Sequence, residues 1–271
     1  MRKRLHRLLV SVMRLYLRRT PISRGRRFLT KTLVMPFLPN PPNTYTASLP
    51  GGGQIELLYT EAIGLTHFIY GGFERAELQF VQHFLSEGQR VIDVGANVGY
   101  LTIPMGLKVG VTGCVIACEP EPENLNRLRM NVSRNDLRNV DIRPTAVGNH
   151  DGETSLRLGD DSAYHTTASP SDLLAITAAH ETGRQVRVPV IRLDTLWEDL
   201  GTPSIDLIKI DVEGTELDVL RGSVRLLHKE RPWLMLETEH FERVAAYLRS
   251  LEYAPVQPGG FFTANFVFAP R

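Results

Sequence analysis

From residue 54 onward, short apolar runs of strand length alternate with stretches whose apolar residues recur at helical spacing. Strands separated by helices do not close as hairpins. They line up in parallel with the helices covering the sheet, so the body reads as α/β. QIELLYT reads as an introductory strand and GGFERAELQFVQHFLSEG as a helix stopped by Gly88. VIDVG (91–95) is the first strand of the main alternation, followed by a glycine-containing turn and a helix through Met105. CVIACEP is the second strand, PENLNRLRMNVSRND its crossover helix and VDIRPTAVG the third strand. IDLIKIDV (205–212) reads as the fourth strand with GTELDVLRGSVRLLHKE as one helix after it. WLMLETE is the fifth, ERVAAYLRSL a further helix and TANFVFAP a closing edge strand. Between residues 149 and 190 the alternation lapses, and ETSLRL and QVRVPVIRL read as added strands around a polar loop.

A chain of 271 residues, at a soft prior of ~150 residues per domain, holds one large domain with an appendage. Charge locates the appendage. The whole chain has 31 basic and 30 acidic residues, but residues 1–40 carry eleven Arg and Lys and no Asp or Glu, leaving 20 basic against 30 acidic. This divides the chain into a basic arm with a Pro-rich linker (PFLPNPPNTY, 36–45) over residues 1–45 and a mildly acidic body over residues 46–271. On a helical wheel Leu5, Leu8, Leu9, Val12, Met13 and Tyr16 share one face, with Lys3, Arg4, Arg7, Arg14 and Arg18 opposite. No apolar run approaches the ~20 residues of a membrane span, and the run ending at Arg14 is too short for a signal peptide. Two partners fit such an amphipathic helix: an anionic membrane surface met by residues 1–20, and a protein face, either the body or a second subunit of a homodimer. The acidic body argues against nucleic acid as a partner. Cys114 and Cys118 lie four residues apart in one strand, ~13 Å at ~3.3 Å per residue, too far to pair. They read as two small buried hydrophobes of a reducing, cytoplasmic protein.

The chemistry concentrates in VIDVGANVGY, which spells Asp93-x-Gly95-x-Asn97-x-Gly99 at a strand-to-helix turn. A dinucleotide fingerprint needs a glycine where Asn97 stands, and the Asp93 carboxylate would repel a pyrophosphate. A cationic ligand suits the same turn, and S-adenosylmethionine carries a sulfonium and an ammonium. Glu119, 26 residues after Asp93, closes the second strand, where a carboxylate can accept both hydroxyls of a ribose.

VIDVGANVGYLTI, CEPEPENLNRLRMN and above all IDLIKIDVEGTELDVLRG resemble the FkbM family of S-adenosylmethionine-dependent methyltransferases, over about residues 75–240. Lys209, Asp211, Glu213, Gly214 and Glu216 form the most family-specific block. The resemblance implies a class I methyltransferase, Rossmann-like α/β fold: a seven-stranded, mostly parallel sheet with the last strand antiparallel and helices on both faces. It also implies O-methylation of a hydroxyl, commonly on a sugar or a secondary metabolite. Carried over, Asp93, Gly95, Asn97 and Gly99 would cradle the methionine part, Glu119 the ribose, and the segment at Ala146 and Val147 would border the adenine.

Transfer to a hydroxyl needs alignment and removal of the hydroxyl proton. Asp211 is the first candidate base, and Glu213 its partner or a ligand of the substrate; two carboxylates this close should push one pKa upward. Tyr164 and His165, in GDDSAYHTTASP (159–170), and His240, after the fifth strand, are candidates for touching the acceptor. Asp211, Glu237 and His240 could supply oxygen and nitrogen ligands to magnesium or manganese, but no two have a diagnostic spacing, and no metal ligand is assigned. The expected activity is methylation of a sugar, glycolipid or glycan hydroxyl by a cytoplasmic protein peripheral on the inner face of the membrane. The competing expectations are methylation of a soluble metabolite such as a polyketide, and a non-catalytic S-adenosylmethionine-binding module.

Overall fold

Residues 44–159, 181–256 and 265–271 are described in the computed structural model of the chain. Residues 1–43 of the arm and linker and the loop bearing Tyr164 and His165 lie outside them, whereas Thr44 and Tyr45, the end of the expected linker, belong to a strand. Contacts divide the chain into two units, one ending at Leu49 and resuming over Gln54–Arg75, the other taking 50–53 and everything from Ala76. In the first, β1 (Thr44–Ser48) and β2 (Gln54–Leu58) pair antiparallel and are followed by α1 (Ala62–Tyr70). Tyr45 stacks on Tyr59 at 4.5 Å between ring centroids, and its hydroxyl donates to the Gly64 carbonyl at 2.6 Å. Thus QIELLYT is a strand as anticipated, whereas AIGLTHFIY is a helix that its low amphipathicity conceals.

The second unit runs α2 (Arg75–Phe84), β3 (Arg90–Val94), α3 (Thr102–Val109), β4 (Cys114–Cys118), α4 (Pro122–Arg134), β5 (Val140–Arg143), β6 (Ala146–Val147) and β7 (Gly152–Gly159). It continues with β8 (Glu181–Ile191), α5 (Leu193–Asp199), β9 (Leu207–Ile210), α6 (Glu216–Arg221) and α7 (Val224–Glu230). β10 (Trp233–Glu237), α8 (Phe241–Ser250), β11 (Tyr253–Val256) and β12 (Asn265–Pro270) complete it. Seven strands form one sheet in the order β5-β4-β3-β9-β10-β12-β11, with β12 antiparallel to both neighbours. Its central strands read as mainly apolar runs, with Asp93 and Lys209 as the charged exceptions in β3 and β9, because both faces are covered. Ile92, Val94, Ile116 and Cys118 point into a core with Leu196, Trp197, Leu220, Leu227 and Leu248, while Ala117 packs with Leu128 and Val132 of α4 on the opposite side. Cys118 is buried and Cys114 half-buried; both are free thiols, and burial pushes the Cys118 thiol far up.

Three expectations need correction. VDIRPTAVG is not one strand: β5 stays in the main sheet, and the chain then crosses into a second sheet, β6-β8-β7, with its own core of Ala146, Leu156, Leu158, Val188 and Val190. Pro144, which has no N–H to continue the ladder with β4, stands at the break. GTELDVLRGSVRLLHKE is two helices. Gly222 separates α6 from α7 where a Cβ would come within 2.0 Å of the Gly148 carbonyl oxygen, and α7 is capped from outside by buried Asp194, which accepts from the N–H groups of Arg225 and Leu226. Finally, TANFVFAP does not lie at the edge. β12 inserts between β10 and β11, burying Val267 and Phe268, and leaves the short YAPV strand outermost.

Candidate active site

β3, β4 and β9 all end on the same side of the sheet, and the turn after β3 is shaped by three residues of positive φ: Gly95 (79°), Asn97 (50°) and Gly99 (93°). Each has a different cause. A Cβ at Gly95 would meet the Asp211 carbonyl oxygen at 1.9 Å, so this glycine lets two strand tips touch. A Cβ at Gly99 would press Leu128 at 2.9 Å. Asn97 tolerates the left-handed region because its side chain bonds locally, the Oδ1 accepting from the Val98 N–H at 2.7 Å. The Asn97 N–H in turn donates to Glu119 Oε2 at 2.8 Å, and the Glu121 N–H donates to Glu119 Oε1 at 2.9 Å. Burial pushes Glu119 up to about 7 against the pull of these two N–H groups, so its charge is poised near neutral pH.

Asp93 is fully buried. Its Oδ2 accepts from the Thr102 hydroxyl at 2.6 Å, fixing the carboxylate, while Oδ1 has no hydrogen-bond partner and faces Lys209 Nζ at 3.4 Å. Lys209 pairs with Asp93 in the β3/β9 register and lies, 6% exposed, between it and Asp211, whose Oδ2 is 3.3 Å from Nζ. Sequence reasoning placed Lys209 in the diagnostic block but missed this bridge, because the contact needs the pairing of two strands 116 residues apart. Thr102 was likewise missed; as a buried hydroxyl in the first turn of α3 it leaves no motif.

Beyond β9 the chain turns sharply, with Glu213 held at φ 46° and Gly214 at 93°. Glu213 is driven up by burial and then by Asp211, Glu237, Glu216 and Glu239 around it, the upward shift anticipated for one of two adjoining carboxylates. Glu237, at the end of β10, has an oxygen within 4.8 Å of one on Asp211 and is raised chiefly by that charge, then by burial, although Lys209 and the Asn265 amide oppose the shift. Glu216 accepts from the Gly214 N–H at 2.7 Å and from the Thr238 hydroxyl at 3.3 Å. The tips of β9 and β10 therefore carry a crowd of carboxylates, Asp211 and Glu213 among them, with Lys209 as the cation.

His240 stands at the head of α8, where its N–H donates to Thr238 Oγ1 at 3.0 Å, and among the described residues it does not join Asp211 and Glu237 in a set of ligating atoms, so the three-ligand arrangement considered from sequence is not formed. Ala146 and Val147 are buried in β6, paired with Val190 and Ile191 of the second sheet. Tyr164 and His165 fall outside the described residues.

The donor set fits S-adenosylmethionine: a buried carboxylate on Asp93 whose Oδ1 accepts no hydrogen bond, a second carboxylate at the tip of β4, and a tight turn between them. Sheet order and site together define a class I S-adenosylmethionine-dependent methyltransferase fold. The chain belongs to the FkbM methyltransferase family, whose domain, described as "Methyltransferase FkbM domain", matches residues 93–255. It is 29% identical to 31-O-demethyl-FK506 methyltransferase FkbM of Streptomyces tacrolimicus over 205 residues, 67% of this chain and 73% of that protein. It is 27% identical to the hexuronic acid methyltransferase AglP of Haloferax volcanii over 158 residues, 56% of this chain and 59% of that one. With Methyltransferase 1 of Beauveria bassiana it shares 27% identity over 143 residues, 49% of this chain, and the chain spans little more than half, 57%, of that relative's length. The crystal structure of methyltransferase FkbM from Methylobacillus flagellatus KT is 16% identical, with a TM-score of 0.44 over 76% of this chain and 52% of that one.

Proposed function

We propose that the protein is an S-adenosylmethionine-dependent O-methyltransferase acting on a hydroxyl of a sugar, glycolipid or glycan. The observation that carries this is the contact between the tips of β3 and β9: the Asp211 N–H donates to the Val94 carbonyl at 3.1 Å, which sets its carboxylate, 3.3 Å from Lys209 Nζ, beside the turn that begins at Gly95. Bound at that turn, S-adenosylmethionine supplies a methyl group on a sulfonium with a good leaving group. Asp93 and Glu119 hold its cationic and ribose parts, with Gly95, Asn97 and Gly99 shaping the cradle. Asp211 accepts the proton of the acceptor hydroxyl. Glu213, raised by burial and then by Asp211 and its other carboxylate neighbours, and Glu237, raised chiefly by Asp211 and then by burial, are driven toward the protonated form, in which a carboxyl both donates to and accepts from a polyhydroxyl acceptor. A crowd of carboxylates is a common chemical answer to sugar hydroxyls, each oxygen accepting one. The arm would bring the enzyme to an anionic leaflet where a lipid-linked acceptor resides. No helix among the described residues is long and apolar enough to cross a membrane.

A second reading is methylation of a hydroxyl on a soluble secondary metabolite such as a polyketide, favoured by the likeness to 31-O-demethyl-FK506 methyltransferase FkbM over 67% of the chain. Incubation with radiolabelled S-adenosylmethionine and total lipid, polysaccharide and small-metabolite extracts separates them. Label in a glycan or glycolipid supports the first. Label confined to a small apolar metabolite replaces it with the second, and no label in any fraction favours a binding module.

A further inference from the structure

Burying an ammonium is costly unless anions and acceptors surround it. Lys209 meets that condition at one place, where the donor-side turn and the acceptor-side carboxylate come together. Its Nζ donates to the Gly95 carbonyl at 2.8 Å and lies 3.4 Å from Asp93 Oδ1 and 3.3 Å from Asp211 Oδ2. Register explains the reach, since Lys209 is the direct partner of Asp93 across the β3/β9 ladder. An apolar side chain there would leave two carboxylates on one face of the sheet with no cation between them. Asp93 Oδ1 in particular has Lys209 as its charged neighbour and no hydrogen bond.

A methyltransferase must hold a cationic donor and release a product that differs from it by one methyl group and one charge. Packing is nearly the same for both, so the charge of the pocket acts on their ratio. We propose that Lys209 is a positioning and specificity-determining residue: it braces Asp93 and the Gly95 carbonyl against Asp211, offsets their charge, and thereby limits how far the site favours the sulfonium donor over its uncharged thioether product. The proposal rests on Asp93 being the donor-side carboxylate. Its consequence is the balance between donor and product, because a pocket with both carboxylates and no cation would favour the sulfonium donor over the thioether product more steeply.

Calorimetry on the full chain with S-adenosylmethionine and with S-adenosylhomocysteine tests this. In Lys209→Met and Lys209→Gln the donor should gain on the product, raising the ratio of product Kd to donor Kd by about tenfold, the effect of one unit charge ~10 Å away at an effective dielectric of ~20. Lys209→Arg keeps the charge and should leave the ratio within about threefold of wild type, even where the larger guanidinium weakens both ligands together. Damage to packing moves both constants alike and leaves the ratio unchanged, so a folded Lys209→Met or Lys209→Gln with the wild-type ratio overturns the proposal. So does an arginine variant that shifts the ratio as far as methionine does. Unfolding of both neutral variants would make Lys209 a structural residue and overturn it too. Failure of wild-type protein to bind either ligand would instead sink the donor-site reading of Asp93.

Discussion

Glu119 offers a measurement in which binding and stability must respond to pH in opposite directions. A carboxylate that carries ribose hydroxyls has to be ionised to accept both, yet burial holds Glu119 up at about 7 in the ligand-free fold. Between pH 8 and pH 5.5 its ionised fraction falls from about nine-tenths to ~3%, so donor affinity should weaken ~30-fold, ~2 kcal/mol. The fold responds in reverse. A carboxyl whose folded pKa lies above its ordinary 4.5 contributes stability that is present in full below 4.5 and is lost as pH rises through about 7. That loss amounts to up to ~3 kcal/mol for a group buried as completely as Glu119. Calorimetric titration with S-adenosylmethionine from pH 5.5 to 8, paired with chemical unfolding over the same range, reads both slopes. Glu119→Gln cannot titrate, so it should flatten the binding slope and remove Glu119's share of the stability slope, leaving the share of the other raised carboxyls, Glu213, Glu216 and Glu237; subtracting its binding profile removes the titration of the ligand's own amino group. A wild-type affinity that is flat from pH 5.5 to 8, or one that parallels the Glu119→Gln profile, refutes the assignment of Glu119 to the ribose.

Three further outcomes are expected. Asp211→Asn keeps the shape and removes the base, so turnover should fall by roughly 10² to 10⁴ with donor affinity moving far less, and Glu213→Gln, at a site already driven toward its protonated form, should cost much less in steady-state assays. Gly95→Ala puts a methyl 1.9 Å from the Asp211 carbonyl at φ 79° and should destabilise by roughly 3 kcal/mol or more, a drop in Tm of about 6–12 °C by thermal unfolding. The full chain should pellet with anionic vesicles and be released at ~1 M salt, whereas the quadruple variant Arg4→Glu, Arg7→Glu, Arg14→Glu and Arg18→Glu should stay in the supernatant; equal pelleting would reject the membrane role of the arm.

Much of the main sheet was legible because its strands are largely buried on both faces, so that VIDVG, CVIAC, LIKI and WLMLE stand out as short apolar runs despite Asp93 and Lys209 within them. Local signals also placed Asp93, Glu119 and Asp211 at strand tips. Order across the sheet was not legible: whether YAPV or NFVFAP lies outermost depends on which strand Leu234 to Leu236 pairs with, and no local pattern records that. Gly222 reads as an ordinary interruption in a helical pattern until the Gly148 carbonyl is found against it. Gly95 was expected in the cradle of the donor, and the structure adds a second reason for a glycine there, contact with the Asp211 backbone, which only the strand pairing reveals. Lys209 illustrates the same boundary, since a lysine in LIKIDV reads as a solvated charge until Asp93 is placed opposite it.

The two outermost strands of the main sheet, β5 and β11, are four residues long, and proline sits at position 144 immediately after one and at 255 within the other. An incoming strand from a second molecule would find at most a few backbone groups in line before a missing N–H interrupts the ladder. Growth of the sheet from copy to copy is thereby discouraged at both ends. At these two edges self-association is left to side chains on helices or to the arm, which makes it reversible by charge and by dilution rather than templated along the backbone. In a concentrated cell the same brevity guards the folded chain against fibril-like stacking.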